Sequence, residues 1–187
     1  LEAQWSRGNF VCVGLDSELG KIPESALLHI GDGSGVDIPN TIVAFNRAIV
    51  EATKDLVCAY KPNAAFYEAH GTEGIRALQH TIADIHAIAP DVPVILDAKR
   101  ADIGNTNAGY VDAAFGFLRA DAITVQPYLG AEALQPFLAR AEKGVIVLCR
   151  TSNPGAGEFQ DLSVKNGEPL YRFVARRVAY EWNKSGN

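Results

Sequence analysis

VPVILDAKRADIGNT, residues 92–106, decides the fold. Its first part, VPVILDAK (92–99), is a β-branched and apolar run that closes on charged residues, the pattern of a strand covered on both faces. The segment that follows, 105–120, places apolar residues three and four apart, as a helix does. The same βα unit recurs on either side. FVCVGLD (10–16), LVCAYK (56–61), DAITVQ (121–126) and GVIVLCRTS (144–152) read as strands. Residues 41–55, 71–89, 131–143 and 168–186 carry helical spacing. Strands alternating with helices imply a parallel sheet with right-handed crossovers, either doubly wound or a (β/α)8 barrel. No GxGxxG follows the first strand. The glycine-rich GDGSGVD (31–37) lies instead in a long loop, about residues 17–40, expected to cover a site.

Composition narrows the functional classes. Among 187 residues, 48% are hydrophobic and 21% charged, enough to bury a core in one domain spanning 1–187. The net charge of −5 argues against a phosphate-backbone-binding surface, so nucleic acid is not expected as a partner. Cys12, Cys58 and Cys149 each sit in an apolar run and are expected to be buried, reduced thiols of a cytoplasmic protein. No apolar run approaches the ~18 residues of a membrane span. The polar start LEAQWSRGNF is no secretory signal, and the absence of Met points to a cropped chain.

Every predicted strand finishes on polar groups: Asp16, Lys61, Asp97 with Lys99, Gln126, and Arg150 to Ser152. In α/β sheets the C-terminal strand ends line the ligand crevice, so these endings converge. Asp97 and Lys99 are two apart and, on an extended strand, share a face. Burial of such charges is costly unless they are paired. Lys61 supplies a second ammonium and Asp102 a second carboxylate, an alternating set that can hold its members ionised while one Lys delivers a proton. A purely structural ion-pair network is the competing reading.

DAKRADIGNT (97–106), with VGLD (13–16), AYKPNAAFYE (59–68) and RTSNPGA (150–156), resembles the orotidine 5′-phosphate decarboxylases, in their bacterial long-loop subfamily. The resemblance covers essentially the whole chain. It implies a (β/α)8 TIM barrel acting as a homodimer, without metal or organic cofactor, that converts orotidine 5′-phosphate to UMP in pyrimidine biosynthesis. By position, Lys99 is implied to protonate C6 of the pyrimidine, Asp97 to face the substrate carboxylate, and Lys61 to orient Asp97 and the ribose. Asp102, with Thr106, is implied to enter the partner subunit's site. Asp16 resembles the ribose-hydroxyl ligand and Ser152 the serine that contacts the pyrimidine.

Against that family, only the first five βα units of eight are present, and the chain ends at WNKSGN where a sixth strand is expected. The phosphate-gripping Gln and Arg of the family's later loops have no counterpart here. Two alternatives stand beside the decarboxylase: a related sugar-phosphate synthase or decarboxylase of the same barrel superfamily, which carries an acidic residue in place of Lys61, and an inactive truncated fragment. His29, His70, His80 and His86 lack metal-ligand spacing. Trp182 and Tyr180 are expected to pack on the outer helix, and Arg172, Arg176 and Arg177 to form a solvated face.

Overall fold

In the computed structural model, which describes residues 1–184 and 186, the βα alternation is present throughout. The residues group into two compact units, Leu1–Ala98 with Ala114–Asp121, and Lys99–Ala113 with Ala122 onward.

The first unit opens with a short helix, α1 (Glu2–Ser6), outside the expected elements. Strand β1 (Val11–Gly14), helix α2 (Ile38–Thr53), strand β2 (Val57–Lys61), helices α3 (Ala64–Glu68) and α4 (Gly71–Ile88) and the first four residues of β3 (Ile95–Arg100) follow. Strands β1 and β2 pair in parallel, with Gly14 opposite Lys61. Parallel bridges Tyr60–Val94 and Asn63–Asp97 continue the order from β2 to β3. Asp37 starts α2 by accepting the Asn40 amide at 3.2 Å, and Pro39 sits in the first turn where no amide is needed. The buried stripes of α2 (Ile42, Val43, Asn46, Val50) and α4 (Ala77, Leu78, Thr81, Ile82, Ile85) pack together. At Gly74 a Cβ would lie 1.8 Å from the Tyr67 carbonyl oxygen, so only glycine lets α4 come this close to α3.

In the second unit the end of β3, Lys99 and Arg100, leads a parallel sheet in the order β3, β4 (Ala122–Val125), β5 (Gly144–Val147). Ala122 to Val125 face Gly144 to Val147 in register. Helix α5 (Gly104–Val111) runs into a π-helical turn, Asp112–Phe117. Buried Asn107 donates to the carbonyl oxygens of Asp102 and Ala133, and so joins the start of α5 to α6 (Gly130–Leu138). Helices α7 (Gly157–Gln160) and α8 (Leu170–Arg177) follow, and α8 continues π-helically over Val178–Trp182.

Several expectations need correction. β1 is not covered on both faces: Val11 is 58% exposed and Cys12 is exposed. Of the three thiols only Cys58 is buried. Cys149 is half-buried, its Sγ 2.9 Å from the Tyr171 carbonyl oxygen. The fifth strand ends at Val147 rather than at 152, since the chain there turns toward α7. Tyr180 is 84% exposed, whereas Trp182 is half-buried. The expected solvated face is present, with Arg172 and Arg176 exposed; Arg176 and Arg177 also pair with Glu168 and Glu181 and lie 5.4 and 5.8 Å from the Phe173 ring centre. Of the expected 168–186 helix, Ser185 lies outside the described residues, as does the terminal Asn187.

Candidate active site

Three of the predicted residues close adjacent strands of the first unit. Lys61 is the last residue of β2, its carbonyl oxygen accepts the Leu15 amide at 3.2 Å, and Asp16 follows directly. The Asp97 amide donates to the Pro62 carbonyl oxygen at 3.0 Å. This register brings Lys61 Nζ to 2.9 Å from Asp97 Oδ2. Asp97 is 8% exposed, so its charge is held away from water and needs that partner. Burial is the largest influence on Lys61 and works to lower its pKa. The hydrogen bond and charge of Asp97, with Asp16 and Cys12 behind them, outweigh it, and the net shift is upward. The ammonium form is therefore the one this cluster selects.

The second unit carries the rest. Lys99 is exposed, and its amide donates to Thr124 Oγ1 at 3.0 Å. Its φ of +47° lies in the left-handed region that non-glycine residues enter at a cost of about 1 kcal/mol. Strand alternation therefore stops before Lys99, and a strained residue sets its direction. Asp102 accepts the Ile103 amide at 2.7 Å, and its own amide donates to Asn107 Oδ1 at 2.7 Å. Thr106 is exposed in the first turn of α5. Gln126, at the end of β4, donates its amide to the Arg100 carbonyl oxygen at 2.9 Å. Ser152 is exposed on the loop after β5.

Two supporting groups escaped the sequence reading. Asn46, Tyr67 and Thr81 form a buried polar cluster behind Asp16. Gln160 embraces Thr151, accepting its amide at 2.8 Å and donating to its Oγ1 at 2.9 Å, beside a two-bond ion pair of Arg150 with Asp161 at 2.9 and 3.0 Å. The legible signal for the first group is a polar residue on an apolar stripe: Asn46 follows Ile42 by four, and Thr81 follows Ala77 by four. Nothing local marks Gln160. Among the described residues no three His, Cys, Asp or Glu side chains could hold a metal ion, and no helix is long and apolar enough to cross a membrane.

Parallel strands alternating with helices define an α/β fold of the (β/α)8 class, of which the described residues supply five strands. The family model of the orotidine 5′-phosphate decarboxylase / HUMPS family matches residues 10–184, and the chain belongs to that family. Orotidine 5′-phosphate decarboxylases of Herpetosiphon aurantiacus and Thermomicrobium roseum are 51% and 54% identical over 99% and 96% of this chain. The solved OMP decarboxylase of Leishmania donovani superposes with a TM-score of 0.83 at 38% identity, covering 99% of this chain and 66% of that one. The chain spans 65% and 60% of the length of the two bacterial relatives.

Proposed function

We propose that the protein carrying this chain decarboxylates orotidine 5′-phosphate to UMP, in the cytoplasm and without metal or organic cofactor. The observation that carries the reading is the Lys61–Asp97 pair at 2.9 Å on adjacent parallel strand ends, two residues before Lys99. An ammonium at the end of β2 also disfavours the sugar-phosphate alternative, which needs an acidic group there. In the reaction the bond from C6 to the carboxylate breaks, carbon dioxide leaves, and the electron pair stays on C6. Lys99 gives that carbon its proton and is re-protonated from water. A cation fixed beside C6 stabilises the transition state more than the ground state, because the negative charge at carbon develops only as the bond breaks. Asp97, held ionised by Lys61, faces the substrate carboxylate, and their repulsion is relieved as carbon dioxide departs.

Asp16 binds a ribose hydroxyl and Ser152 the pyrimidine. Asp102 and Thr106 reach the site of a second copy, so the active form is a homodimer; the exposure of Thr106 at the start of α5 supports this. The test is absorbance-monitored turnover of orotidine 5′-phosphate by Lys99→Ala and Asp102→Ala proteins, alone and mixed. Lys99→Ala should lose turnover with its circular dichroism intact, and the mixture should regain part of it. Turnover by Lys99→Ala would overturn the reading, and a mixture that stays dead would confine Asp102 to its own subunit.

A further inference from the structure

Asp16 is exposed, yet both of its neighbours are buried: Leu15 is 1% and Ser17 4% exposed. Each neighbour is hooked to the same buried cluster. The Tyr67 hydroxyl donates to the Leu15 carbonyl oxygen at 2.9 Å, and Ser17 Oγ donates to Asn46 Oδ1 at 2.6 Å. Asn46 Nδ2 then donates to the Tyr67 hydroxyl at 3.0 Å and to Thr81 Oγ1 at 3.2 Å. The cluster thereby closes a loop that begins and ends on the two residues flanking Asp16. Its members come from the three helices α2, α3 and α4.

A core has no need of such a cluster. Apolar side chains of the same size would pack at least as well, and a buried polar network is tolerable only when every member is satisfied. Here the amide of Asn46 uses both its donor and its acceptor sides, and the Tyr67 hydroxyl both accepts and donates. The bonds to Leu15 and Ser17 tie the cluster to the segment just after β1. Burial, the largest influence on Tyr67, pushes its hydroxyl up to about 12, against the hydrogen bonds from Ser17, Asn46 and Thr81, so it stays a neutral donor.

We propose that Asn46, Tyr67 and Thr81 are positioning residues that hold the Leu15–Ser17 segment, and through it fix the Asp16 carboxylate for the ribose hydroxyl it binds. The proposal rests on the reading of Asp16 as a ribose ligand. The experiment is a cycle of Tyr67→Phe, Asp16→Ala and the double variant in the whole protein, with kcat, KM and Tm measured for each. Ser17→Ala serves as a second, milder removal of one hook. Tyr67→Phe should lower kcat/KM about tenfold when Asp16 is present and less than about twofold when it is absent, whereas the fall in Tm should be the same in both backgrounds. Ser17→Ala should follow the same pattern with a smaller Tm loss. Equal losses of kcat/KM in both backgrounds, or no loss from either hook variant while Asp16→Ala is impaired, would overturn the positioning role and leave the ribose role standing. An Asp16→Ala protein with unchanged kcat/KM would remove the ribose role, and the positioning role with it.

Discussion

The segments that follow β1 and β5, which carry Asp16 and Ser152, are held by opposite means. After β1, Asp16 is presented by neighbours anchored on a neutral, buried cluster of Asn46, Tyr67 and Thr81. After β5, Ser152 is presented by a loop tied at the surface, through Gln160 and through an Arg150–Asp161 pair whose side chains are 41% and 48% exposed. Away from water a hydrogen bond that loses one partner leaves the other unsatisfied, at a cost of roughly 1–3 kcal/mol. At the surface water takes the vacated place, and an exposed ion pair contributes about 0–1 kcal/mol. The first strand end is therefore rigid and fragile, the second forgiving.

The hardest test of that contrast is Asn46→Leu, which keeps the branched shape of the side chain and removes the hub. Ser17 Oγ, Thr81 Oγ1 and the Tyr67 hydroxyl each lose one hydrogen-bond partner in a buried site, so the protein should be destabilised by about 2–4 kcal/mol in urea unfolding. A loss below about 0.5 kcal/mol would mean that the cluster is not the rigid element claimed for it.

A second test uses alkali. The pKa of Tyr67 is about 12 in the folded protein against an ordinary 10, so the folded state keeps its proton where the unfolded state releases it. The stability from this raised pKa is fully present below pH about 10 and is lost as pH rises through about 12, in total roughly 3 kcal/mol. Tyr67→Phe has no such proton to lose. At neutral pH the variant should be the less stable protein, and the gap should narrow between pH about 10 and 12. Lys61 and Tyr60, also shifted upward, lose stability with the same sign but in both proteins, so the difference isolates Tyr67. Parallel pH profiles would show that Tyr67 is not held as a buried neutral donor.

The two strand ends also differ in how far they could be read from sequence. Charged endings such as Lys61 and Asp97 announced themselves, because a charge inside an apolar run must find a partner, and the pair did form. Element type followed from period 2 or 3.6 along the chain. Element ends did not. β5 stops five residues before the predicted boundary, and the five-residue α3 behind its Asn63 cap was absorbed into the connection after β2. Those limits are set by tertiary partners such as Gln160 and Gly74. The exposure of β1 was illegible for the same reason, since an apolar run records what a strand could bury and not what covers it. Asn46 and Thr81 were visible as polar members of apolar stripes, yet a lone polar residue on a helix is most often a local backbone hydrogen bonder or a solvated group.

The smallest expected effect lies at the forgiving end. Asp161→Asn keeps the shape of the side chain but removes the charge that faces Arg150 through two bonds of 2.9 and 3.0 Å. Because the pair is nearly half exposed, much of its Coulomb attraction is already screened, and Gln160 holds Thr151 independently of it. Stability should therefore fall by less than about 1 kcal/mol at low ionic strength, and the difference from the unaltered protein should all but vanish at ~1 M salt, where the screening length is about 3 Å. KM for orotidine 5′-phosphate, read through Ser152, should change by less than about twofold, since the Gln160 clamp remains. A loss above roughly 2 kcal/mol that survives high salt would place this ion pair among the buried, unforgiving contacts, and the distinction between the two strand ends would fail.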